Sequence, residues 1–98
     1  MAKSNTNAPK TTNLTTKVAG VTIEIVKKIW SDDSVSCDVT LSIAKAELVK
    51  IYGIRVIDGQ YGKFLSMPSR KGSDGNYYSH ARIVDDDISN AILETVTE

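Results

Sequence analysis

From Val21 the chain alternates: Val21, Ile23 and Ile25 are separated by Thr22 and Glu24, and after Ser31-Asp32-Asp33-Ser34 the period returns. There Val35, Cys37, Val39, Leu41 and Ile43 are separated by Ser36, Asp38, Thr40 and Ser42. A period of two with one apolar side predicts an antiparallel hairpin with one buried face. Residues 44–50, Ala-Lys-Ala-Glu-Leu-Val-Lys, are helix formers by propensity but too few to nucleate a helix, so they read as a turn or bulge. A third strand then covers about residues 49–57 and ends at Asp58-Gly59, a strong turn signal. A fourth, residues 63–67, is stopped by Pro68. A polar loop follows over residues 69–75, and residues 76–84 read as a fifth strand.

The pattern changes at both ends. Residues 1–17 are mostly Ser, Thr, Asn and Lys with one proline, and offer too little apolar surface to offset the entropy of ordering. They read as a flexible, weakly basic tail carrying Lys3, Lys10 and Lys17, followed by one domain over residues 18–98. At the other end, Asp85, Asp86 and Asp87 precede Ile88, Ala91, Ile92 and Val96, which share one helical face. An aspartate here can accept from the first free amides and complement the helix dipole. Three adjacent carboxylates also suggest Mg²⁺, but neighbours in sequence rarely converge on one ion without further ligands, and capping accounts for them more simply. The predicted class is α+β: a small antiparallel sheet of about five strands with one C-terminal α-helix.

Composition narrows the function. The chain has 98 residues, with one Trp and one Phe, so the core must be built from aliphatic side chains and oligomerisation would bury more surface. Twelve basic residues balance twelve acidic ones, so any affinity for nucleic acid must come from local distribution rather than net charge. Cys37 and His80 are the only residues of their types, which excludes a disulfide framework or a conventional zinc site within one chain. No apolar run is long enough for a signal peptide or a membrane span, and a reducing cytoplasm is the expected setting. No membrane association and no cofactor are expected.

Catalytic patterns fail on inspection. Gly59-Gln60-Tyr61-Gly62-Lys63 lacks the glycine spacing, the Ser or Thr and the following helix of a phosphate loop. His80 has no nucleophile and acid at triad spacing, and reads as a strand or rim histidine. Cys37 lies on the apolar side of its strand, where a small core residue is expected rather than a reactive thiol. The chain is not expected to be an enzyme.

Charge segregation remains. Between residues 55 and 82, Arg55, Lys63, Arg70, Lys71 and Arg82 outnumber Asp58 and Asp74, whereas residues 85–98 carry acids and no base. Tyr61, Tyr77 and Tyr78 interleave with these cations, and tyrosine faces beside Arg or Lys are the parts of a single-strand stacking platform.

Residues 54–75 carry a resemblance. Ile54-Arg55-Val56-Ile57-Asp58-Gly59, then Gly62, Phe64, Met67-Pro68-Ser69, Arg70-Lys71 and Asp74-Gly75 resemble, in order and spacing, the signature of the bacterial SpoVG family of sporulation and septation regulators. The resemblance implies a homodimer that binds DNA, and RNA in some members, to regulate gene expression. The family's basic positions fall on Arg55, Arg70 and Lys71. The candidate contact set is therefore Arg55, Lys63, Arg70, Lys71 and Arg82, with Tyr77 or Tyr78 stacking on bases. The family's C-terminal helix is commonly longer and basic, whereas this one is short and acidic. The alternative is therefore a divergent protein-interaction module that acts through its acidic helix.

Overall fold

The alternating segments form β2 (Val21–Ile29) and β3 (Val35–Ile43) in a computed structural model that describes residues 8–97. Ile25 stands opposite Val39, and Ile23 opposite Leu41, so the apolar sides of both strands share one face. The turn between them is tied by the Asp32 carboxylate, which accepts from the Ser34 amide and hydroxyl, and by Trp30, whose Nε1–H donates to Ser36 Oγ at 2.9 Å.

The expected tail is corrected by β1 (Lys10–Val18), which pairs with β2 along its whole length from Lys10 opposite Ile29 to Val18 opposite Val21. Thr11, Thr12, Thr15 and Thr16 are β-branched and suit an extended backbone, while Leu14 and Val18 pack against the core. Backbone pairing along β2 and two apolar anchors thus order a segment whose composition reads as disordered. Residues 1–7, the rest of the expected tail, lie outside the described residues.

β4 (Ala46–Gly59) begins earlier than expected and extends through the ambiguous residues 44–50. Its register against β3 shifts twice, between Leu41 and Ser42 and between Cys37 and Val39. At the second shift Gly53 adopts φ 74°, and its amide donates to Asp38 Oδ1 at 2.9 Å. Asp38 Oδ2 is held by Lys28 Nζ at 2.9 Å. Partial burial pushes the Asp38 carboxyl up, but the Gly53 bond and the nearby ammonium groups of Lys28 and Lys50 outweigh it and leave the group below its ordinary value.

β5 (Gly62–Ser66) returns through a two-residue turn at Gln60-Tyr61, Gly59 facing Gly62. The result is a five-stranded antiparallel meander, β1-β2-β3-β4-β5. The number of strands is the one expected, but residues 76–84 do not join this sheet. Within them only β7 (Tyr77–Ser79) is a strand, and it pairs with β6 (Ser69–Lys71), which lies inside the expected loop.

α1 (Asp86–Thr97) is capped as predicted: the Ile88 amide donates to Asp85 Oδ1 at 3.0 Å. Ile92 and Val96 are buried, with Ile88 and Ala91 packed beside them. They close a core of Ile23, Ile25, Cys37, Val39, Ile51 and Ile54. The helix touches β1, β2 and β5, although β1 and β5 are opposite edges of the sheet. Cys37 is fully buried, and burial followed by the charge of Asp38 pushes its thiol up to about 11, which suppresses thiolate chemistry.

Candidate nucleic-acid interface

Side-chain alternation in β4 assigns Ile54 to the core and Arg55 to the opposite, outer face. Arg55 stands opposite Ser66 on β5, and both border an open groove of about 530 Å³ between the sheet edge and the β6–β7 ribbon. Phe64 completes the sheet wall, bordered by Leu65 and Met67, which also pack against the core, while Ser69, Tyr77 and Ser79 form the ribbon wall. No acidic side chain lines this groove among the described residues, and Arg55 has no ion-pair partner among them.

The ribbon explains which side chains reach the groove. Ser69 pairs with Ser79, Arg70 with Tyr78 and Lys71 with Tyr77. Because Ser69, Tyr77 and Ser79 face the groove, alternation puts Lys71 on their side and Arg70 with Tyr78 on the other. The adjacent cations are thus divided between two faces. Tyr78 is also engaged locally: its hydroxyl donates to Asp74, and its ring lies against Gly72, where an added Cβ would meet it at 2.7 Å. Asp74 further accepts from the Asn76 amide, and these bonds, led by the Tyr78 hydroxyl, lower its pKa. The His80 amide donates to the Pro68 carbonyl at 2.7 Å and extends the pairing by one bond.

The other two predicted cations lie elsewhere. Lys63 Nζ is 3.2 Å from Asp58 Oδ2, in a recess that also contains Asp32 and Asp33. Arg82 borders a second recess with Ile83, Ser89, Asn90 and Leu93, beside the helix. Arg55 and Tyr77 therefore line one groove, with Lys71 on the ribbon face of Tyr77, whereas Arg70 and Tyr78 lie on the other ribbon face, Lys63 is paired with Asp58, and Arg82 borders an adjoining recess. The acidic helix packs on the core face and supplies no residue to the groove lining, although its Ser89, Asn90 and Leu93 border the adjoining recess together with Phe64, Leu65 and Met67.

Phe64, within the expected fourth strand, is half exposed on the groove wall, its ring placed over Gly59, where a Cβ would lie 2.7 Å from the ring. The signal was available in the alternation. Leu65 and Met67 pack toward the core, so Phe64 between them and Lys63 must face outward. The serines carried no comparable signal, since hydroxyls occur on every polar surface. Among the described residues no group of three or more His, Cys, Asp or Glu side chains could hold a metal ion, and no helix is long and apolar enough to cross a membrane.

Comparison with known proteins adds a family. The SpoVG family model matches residues 17–98. A relative from Agathobacter rectalis named as a septation protein, SpoVG, is 33% identical over 73 residues, covering 70% of this chain and 82% of its own. A similarly named relative from Lachnospira eligens is 33% identical over 73 residues, covering 74% and 81%. One from Listeria monocytogenes reaches 40% over 55 residues, covering 56% of this chain and 54% of the relative. No solved structure matches this chain.

Proposed function

The chain belongs to the SpoVG family, and from that premise we propose that it is a dimeric nucleic-acid-binding regulator of gene expression, acting on DNA or RNA through the Arg55–Lys71–Tyr77 groove. The observation that carries this reading is the outer-face groove itself. It joins a guanidinium without an ion-pair partner and an exposed aromatic ring, with no carboxylate in its lining among the described residues, and Lys71 is paired with that ring's residue on the ribbon. Phosphates are attracted to such cations, and exposed rings offer base-stacking surface. The net charge of zero is no obstacle, because the acidic α1 supplies no residue to the groove lining.

Dimerisation is supported by the β3–β4 hairpin end. Ile43, Leu48 and Val49 are all about half exposed there, apolar side chains left uncovered on a chain with a small core. A second copy covering them would present the groove twice and raise affinity by linking two contacts. A polarisation titration with mixed DNA and RNA pools at two salt concentrations tests the function. Salt-sensitive binding supports it, and no binding at low salt rejects it.

A further inference from the structure

We propose that the groove between β5 and the β6–β7 ribbon holds one unstacked nucleotide of a single strand, its base against Tyr77 and Phe64 and its phosphate on Arg55. This rests on the nucleic-acid reading above and narrows it to strands with unpaired bases. Tyr77 is 71% exposed and Phe64 49%, one on each wall. Phe64 can offer a ligand nothing but a ring face, and the lack of a Cβ at Gly59 leaves room for that ring. A duplex buries its base faces in its own stack, so it could reach only the cations and would leave both rings unused.

The remaining lining fits the same ligand. Ser66, Ser69 and Ser79 each carry a hydroxyl able to donate or accept, which suits base edges and sugar oxygens without committing to one sequence. A volume of about 530 Å³ lies within the range of small-molecule sites and is suited to a nucleotide rather than to a helix of nucleic acid. Lys71, across the ribbon from Tyr77, is placed to meet a phosphate next to the captured residue. Ribose and deoxyribose strands share all of this chemistry.

Polarisation with labelled oligonucleotides of one mixed sequence separates the outcomes: single-stranded DNA, single-stranded RNA, the paired duplex, and an abasic strand of equal length. The expected result is at least about tenfold tighter binding of a base-bearing single strand, DNA or RNA, than of the duplex or the abasic strand. Tyr77→Ala lowers single-strand affinity about tenfold with duplex affinity unchanged, and Tyr77→Phe, which keeps the ring, retains it. Equal affinity for duplex or abasic strand overturns the nucleotide pocket while leaving nucleic-acid binding in place. Failure to bind any of the four overturns both.

Discussion

The Tyr78 hydroxyl donates to the Asp74 carboxylate across the loop that joins β6 to β7, while the Tyr78 ring rests on Gly72. One aromatic side chain thereby fixes the loop behind the ribbon wall and leaves Tyr77, its neighbour, facing the groove. Tyr78→Phe removes only the hydroxyl and should weaken nucleic-acid binding by a few fold through a looser ribbon, whereas Gly72→Ala forces the ring aside and should weaken it more. Amide exchange at Gly75 and Asn76 checks the cause, since it should accelerate in both variants.

Asp38 gives the fold a pH dependence. Its carboxyl is lowered in the folded state, so its contribution is present above the ordinary aspartate value and lost as pH falls through the lowered folded one. Urea midpoints should therefore fall on acidification below the ordinary aspartate range, and Asp38→Asn should flatten part of that fall. Gly53→Ala should cost roughly 1–2 kcal/mol at neutral pH, because φ 74° is left-handed backbone that a Cβ disfavours.

The β3–β4 turn is an avoidable strain. Ala44 and Lys45 occupy φ 50° and 71°, both positive, between paired Ile43 and Ala46. Replacing the two residues with Asn-Gly, the preferred pair for such a turn, should stabilise the protein by about 0.5–1 kcal/mol. A shift of the urea midpoint with an unchanged slope is the expected observation.

Ile92 is the helix residue with no exposed surface. Ile92→Ala should destabilise by about 2–5 kcal/mol through lost burial and the cavity left behind. A domain of this size has only about 5–15 kcal/mol in total, so thermal melting should move well below that of the parent.

Leu48→Asp with Val49→Lys should leave the monomer folded, since both side chains are exposed, yet dissociate the proposed dimer. Sedimentation equilibrium reads the mass, and circular dichroism confirms the fold.

Alternation revealed β2 and β3, and the aspartate followed by Ile88, Ile92 and Val96 revealed the capped helix, because both patterns report burial on one face. β1 was hidden because an edge strand needs few apolar residues: Leu14 and Val18 suffice once β2 supplies the backbone partners. The ribbon was hidden for a related reason, since three-residue strands have no measurable period. That short pairing is nevertheless what separates Arg70 from Lys71, so their adjacency in sequence was misleading about their shared direction. Arg55 stood out as a candidate through the SpoVG-like motif, and the structure places it on the outer face beside the groove. The position of Phe64 opposite the core needed only the parity of Leu65 and Met67.

Salt-dependent binding of single-stranded nucleic acid by the parent and by Arg55→Ala/Lys71→Ala tests the groove most directly, with Arg70→Ala as the comparison from the other ribbon face. The double variant should bind more weakly at low salt, and its plot of log affinity against log salt should be shallower by about one per cation removed that meets a phosphate. Arg70→Ala should change affinity less than either groove substitution. An unchanged slope and affinity in the double variant, or a larger loss from Arg70→Ala alone, would contradict the groove as the binding site.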